Sequence, residues 1–165
     1  VQTCALPIYQ PFIFYRTLQV DNQEITVDVD FLAGEYGGTS KKHRTQVVQN
    51  MHPRKARACD LAFQQPIQIT IEGMLPEGGK DRAHIRVASI VPFLVMKAQA
   101  LKSRLKEKDA YDIYYCLTHF PDGIDALVDA FRAFPDHPLI HEGLAILSEK
   151  FSASDSRSSF CDQFS

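Results

Sequence analysis

The sequence predicts an α+β protein, a small mixed or antiparallel sheet followed by a mostly helical C-terminal half. Two β-rich arms face each other across a short polar turn within residues 12–32. Two more β-rich segments flank the glycine-containing stretch "PEGGKD" (76–81). From residue 91 onward the apolar residues recur at helical spacing instead.

The first arms are "FIFYRTLQV" (12–20) and "EITVDVDFL" (24–32), separated by "DNQ". Aromatic and β-branched side chains fill both, and a polar turn sits where a hairpin requires one. Side chains alternate along a strand, so Ile25, Val27, Val29 and Phe31 share one face and Thr26, Asp28, Asp30 and Leu32 the other. Residues 33–44, "AGEYGGTSKKHR", read as loop. "PIQITIEGML" (66–75) and "AHIRVASI" (83–90) read as the next two strands. The helical half opens with "PFLVMKAQALKSRL" (92–105), where Pro92 suits a first turn. "DAYDIYYCLTHF" (109–120), "GIDALVDAFRAF" (123–134) and "PLIHEGLAILSEKF" (138–151) follow.

The expected organisation is a sheet region over 9–90 and a helical region over 91–151. Residues 1–8, "VQTCALPI", resemble a translated adaptor and are expected to be a non-native leader. The serine-rich stretch 152–165 is expected to be a polar tail, cut short. The chain is thus expected to be a fragment of a longer protein.

With 45% hydrophobic and 23% charged residues, the chain has the composition of a globular protein that buries a core. The apolar run near Ile90–Met96 is too short to span a bilayer, and no charged-then-apolar leader marks secretion. The expected location is therefore the cytoplasm. A net charge of −2 excludes a global basic field, yet Lys41–Arg44, Arg54–Arg57 and Lys102–Lys108 are basic clusters that a phosphate-rich partner would match. Solvated loops and helix faces carry such clusters equally well. The cysteines at 4, 59, 116 and 161 form no CxxC pair, so free thiols are expected.

Three groupings bear on chemistry. Asp28 and Asp30, on one strand face, offer hard oxygen ligands to a divalent cation; the solvent face of an edge strand would look the same. Lys97 stands among Phe93, Leu94, Ala98 and Leu101, one turn away on either side. A desolvated ammonium there needs a carboxylate or phosphate, unless it snorkels to water. In "KDAYD" (108–112), Asp109 as N-cap and Asp112 at N3 would explain the acidic spacing by capping alone. "GGTSKK" (37–42) lacks the spacing of a phosphate-binding loop. In "HPLIH" (137–141), Pro138 is expected to start a helix after His137, which argues against a metal pair.

The strand ending in "VDVDFL", the basic loops, and then "IVPFLVMKAQALKSRLKEKDAYDIYYCL" occur in an order that resembles the AbiEii-type nucleotidyltransferase toxin family, within the polymerase-β-like superfamily. The resemblance spans roughly residues 12–120. Its most specific part is Lys97 followed by Lys108, Asp109 and Asp112. It implies a Mg²⁺-dependent transfer of a nucleotide from a nucleoside triphosphate to an acceptor, with RNA as candidate acceptor and a cognate antitoxin as partner in a phage-defence pair. It implies that Asp30 is the later-strand carboxylate of the metal site, with Asp28 as the other candidate. Lys97, Asp109 and Asp112 would line the nucleotide side. The family's glycine turn and first D-x-D are not matched, which implies an inactive fragment of an active parent. A non-catalytic RNA-binding or structural module is the alternative.

Overall fold

A computed structural model describes residues 12–20, 22–35, 45, 47–48, 50–75, 78–104 and 106–152. The proposed leader, the loop 36–44 with its basic cluster, Cys4, Cys161 and the tail from 153 lie outside the described residues. The chain divides into two compact units, Val1–Ser89 and Ile90–Ser165. The α+β class expected from the sequence is the one observed: strands in the first unit, helices in the second.

In the first unit, β1 (Ile13–Val20) pairs antiparallel with β2 (Gln23–Asp30), in register from Ile13 opposite Asp30 to Val20 opposite Gln23. The short turn sets that register. Asn22 takes the left-handed conformation at φ 62°, which asparagine tolerates better than most residues. Phe14, Leu18, Ile25, Val27 and Val29 therefore share one face, and Tyr15, Thr17, Thr26, Asp28 and Asp30 the other. A Thr17–Thr26 hydroxyl bond of 3.1 Å ties the polar face across the strands.

β3 (Leu32–Ala33) runs parallel to β4 (Arg54–Lys55), and a short 3-10 turn follows at Cys59–Phe63. Ala33, Ala58, Cys59 and Leu61 are buried around this junction. β5 (Ile67–Met74) and β6 (Lys80–Val87) form a second antiparallel hairpin. Gly78 and Gly79 turn it at φ 84° and 97°, where a side chain would be strained. β6 begins three residues before the expected strand at 83. Lys80, Asp81 and Arg82 looked like turn by composition, but they pair with Met74, Gly73 and Glu72.

The second unit has four helices: α1 (Ile90–Ser103), α2 (Glu107–His119), α3 (Gly123–Ala133) and α4 (Pro138–Phe151). α1 is the element the other three contact. Leu94, Leu101, Ala110, Ile113 and Leu127 form the core, with Phe93, Cys116, Leu117, Phe120, Phe131 and Leu147 packed around it. Leu94 and Ile113 are completely buried, each worth about 1.5–3 kcal/mol of transfer free energy. Ile90, expected to end a strand, instead opens α1, which leaves Pro92 within the first turn where its missing N–H is not needed. Asp122 and Gly123, both at positive φ, bend the chain between α2 and α3. α4 opens at Pro138 as expected. His137 caps it, its Nδ1 accepting the Leu139 N–H at 3.1 Å.

Candidate functional site

Lys97 lies midway along α1 at the edge of its apolar stripe, three residues after Leu94 and four before Leu101, both of which face the core. Helical spacing puts Asp109 and Asp112 on one side of α2. The brief link between the two helices brings that side against Lys97. The ammonium donates to Asp109 Oδ1 at 3.0 Å and to Asp112 Oδ2 at 2.6 Å. The Phe93 ring lies below it, 5.7 Å from centroid to Nζ, close enough for a cation–π contact. The other oxygen of Asp109 accepts from Arg104 Nε at 3.1 Å. Two cations and two carboxylates thus form one neutral cluster.

The members differ in burial. Asp109 has a side chain only 3% exposed, Lys97 21%, Asp112 26% and Arg104 44%. Burial disfavours the charge on Lys97, but hydrogen bonds to Asp112 and Asp109 outweigh it and raise the lysine above its ordinary value. Burial likewise works against Asp109, and the bonds and charges of Lys97 and Arg104 prevail, lowering its carboxyl. Both groups are held in their charged forms across the neutral range.

This geometry corrects the capping reading of "KDAYD". The N-cap of α2 is Lys106 in extended conformation, and its side chain makes no capping hydrogen bond. Asp109 is the third helical residue and Asp112 lies a turn further on, so neither carboxylate serves as cap. Lys97 also does not snorkel to water. It is paired.

Cys116 follows Asp112 by one turn. Burial and the Asp112 charge push its thiol up, against the opposing pull of Lys97, so it remains a protonated packing residue. Cys59 is buried and likewise raised, first by burial and then by Asp60. Both are free thiols, as expected.

In the first unit, Asp28 and Asp30 share the polar face of β2. Asp30 Oδ2 accepts from Arg54 Nη2 at 2.9 Å, with the two side chains 36% and 38% exposed. The Arg54 guanidinium also lies 5.6 Å from the Phe12 ring centroid. The parallel pairing of Leu32 with Arg54 is what brings this residue beside β2. By sequence, Arg54 belongs only to a basic cluster. In fact Arg54 pairs with Asp30 and Arg57 with Glu35 at 3.5 Å, so two of the three cations of "RKAR" are already paired.

Two strand carboxylates suit a hard cation such as Mg²⁺, which uses one or two protein carboxylates and completes its shell with water and phosphate. Among the described residues no group of three or more His, Cys, Asp or Glu side chains is arranged to hold a metal. His137 is committed to capping, and His141 Nε2 bonds Asp136, which leaves the "HPLIH" pair with separate tasks.

The model of one protein family, the nucleotidyl transferase AbiEii toxin of type IV toxin–antitoxin systems, matches residues 58–162. The chain belongs to this family. The matched region contains Lys97, Arg104, Asp109 and Asp112, together with the β5–β6 hairpin and all four helices; Asp28, Asp30 and Arg54 lie upstream of it. No curated protein and no solved structure gives a match. Among the described residues no helix is long and apolar enough to cross a membrane.

Proposed function

We propose that this AbiEii-family chain works in Mg²⁺-dependent transfer of a nucleotide from a nucleoside triphosphate to an RNA acceptor, in the cytoplasm, as the toxin of a phage-defence pair with its own antitoxin. The observation that carries this is the Lys97–Asp109–Asp112–Arg104 cluster lying within the family-matched region. Nucleotidyl transfer relies on positioning and charge neutralisation more than on covalent chemistry by the protein. A cluster that pins two helices by a nearly dry carboxylate is suited to positioning.

Within this reading Asp109 is the anchor and Lys97 the bridge. Asp112 is the member that meets the nucleotide. A carboxylate repels phosphate, so Asp112 suits a donor group, a ribose hydroxyl or a base N–H. In the first unit, taken by itself, Asp30 with Asp28 would hold Mg²⁺, which supplies charge neutralisation to phosphate oxygens when bound. Arg54 already balances Asp30, so a metal there must share or displace that guanidinium. One carboxylate pair is too little for two metal ions and a triphosphate. The 165-residue chain alone therefore binds Mg²⁺–nucleotide weakly and transfers nothing.

The test uses the full reading frame that encodes this chain, the four α-labelled nucleoside triphosphates, Mg²⁺ and total RNA. Label transfer to RNA that chelation abolishes is the expected outcome. No transfer with any nucleotide, despite a folded protein, would refute the reading. Robust turnover by the 165-residue chain alone would make Asp28 and Asp30 a sufficient metal pair.

A further inference from the structure

The second hairpin carries a charge pattern that the family assignment leaves without a role. Lys80, Arg82, His84 and Arg86 occupy alternate positions of β6, so all four project from one face. All are exposed. Their cross-strand neighbours Met74, Glu72, Thr70 and Gln68 share that face, while Ile67, Ile69, Ile71, Ala83, Ile85 and Val87 take the other. Glu72 is the one carboxylate on the basic face, paired with Arg82 at 2.7 Å. His84 is bonded by its Nδ1 to Thr70 Oγ1 at 3.0 Å. Among the described residues no carboxylate lies within ion-pair distance of Lys80 or Arg86. The net charge of the face is +2 with His84 neutral.

We propose that this face of β5–β6 is a binding surface for the phosphate backbone of single-stranded RNA. Alternate strand residues recur about every 6.8 Å, so Lys80 to Arg86 form a straight cationic row about 20 Å long. That pitch is of the order of the phosphate repeat along an extended strand, and the hairpin's polar side chains offer further donors. Backbone contacts of this kind position a nucleic acid without reading its sequence. The surface deepens the function proposed above, since it rests on that reading only in taking RNA as the polyanion.

The experiment measures binding of a fluorescent mixed-sequence single-stranded RNA to the full reading frame, from low to high salt, with no nucleotide present. For single strands the slope of log affinity against log salt is about 0.7 per neutralised phosphate. The double variant Lys80→Gln/Arg86→Gln should lower that slope by about 1.4 and weaken binding to all RNA sequences alike. Glu72→Gln frees Arg82 and should tighten binding. Lys150→Gln, a surface change elsewhere, should alter neither. Unchanged affinity and slope in the double variant, with unfolding transitions intact in all variants, would overturn the proposal. So would binding to phosphatidylserine vesicles in place of RNA. Absence of nucleotide transfer in the unsubstituted protein, with these binding effects present, would count against the enzymatic reading alone.

Discussion

Replacing Asp109 by asparagine keeps the shape of the side chain and removes the charge that two cations share. Asp109 is 3% exposed, with Lys97 at 3.0 Å and Arg104 at 3.1 Å. Removing one partner of a fully buried pair costs about 3–5 kcal/mol, because the remaining charge is stranded. Here neither cation is stranded: Lys97 keeps Asp112 at 2.6 Å, and Arg104, 44% exposed, reaches water. The expected cost is therefore lower, about 2 kcal/mol, close to the value of hydrogen bonds to charged groups. For a chain of this size each kcal/mol lowers the melting temperature by about 2–4 °C, so a fall of about 4–8 °C is expected. Asp112→Asn removes one bond at a site 26% exposed and should cost about 1 kcal/mol or less. The pH dependence follows from the same contacts. The Asp109 carboxyl is lowered on folding, so its contribution is present above the ordinary carboxylate value of about 3.9 and is lost as pH falls through the lower folded value. Lys97 is raised, so its contribution is present below about 10.4 and is lost only as pH rises through the higher folded value. The gap between wild type and Asp109→Asn should stay constant across neutral pH and close in strong acid. Calorimetric melting of both variants over a pH series measures this. A wild-type melting temperature for Asp109→Asn, or a larger loss for Asp112→Asn, would refute the anchor assignment.

Ile113→Ala should cost about 2–5 kcal/mol by urea unfolding, since the side chain is fully buried in the helical core. Gly143→Leu should destabilise by about 1–3 kcal/mol through overpacking. A Cβ there already meets both Val95 methyl groups at 3.1 Å and the Val95 Cα at 3.3 Å, so α1 and α4 have no room to spare. His137→Ala should cost about 1 kcal/mol by removing the acceptor for the Leu139 N–H, with amide exchange fastest in the first turn of α4.

Element type was legible because it rests on local periodicity. The alternation in "EITVDVDFL" and the helical recurrence after residue 91 each favour one secondary structure over the other whatever packs against it. Boundaries were less so, since Lys80–Arg82 and Ile90 have compositions that fit either side of a junction. The charge of Lys97 was legible as a demand for a partner. Its partners were legible through the family resemblance, which sets Asp109 and Asp112 with Lys97; residue chemistry by itself left capping open, because an Asp at a helix start satisfies both explanations. The Asp30–Arg54 pair was not legible at all. It depends on a two-residue parallel contact between β3 and β4, and neither segment carries a periodic signal.

Asp112 separates positioning of the helices from positioning of the nucleotide. If the cluster serves the fold alone, the stability order Asp109 over Asp112 should reappear in activity, and Asp112→Asn should transfer nucleotide almost as well as wild type. If Asp112 holds a donor group of the nucleotide, the orders should cross. A neutral amide at the same place offers an N–H where an acceptor is needed, and misplacement of a bound substrate typically costs about a hundredfold in turnover. Asp112→Asn should then fall about a hundredfold with melting nearly unchanged, whereas Asp109→Asn should lose activity only as far as it loses folded protein. Lys97→Gln separates the cases further. It deprives Asp112 of its 2.6 Å partner and leaves the carboxylate in place, so nucleotide affinity should weaken while ionised Asp112 still accepts a bond. Transfer assays at a temperature well below every melting transition compare all three. An Asp112→Asn enzyme within a few-fold of wild type would assign the acidic pair to helix packing and move the nucleotide contact elsewhere.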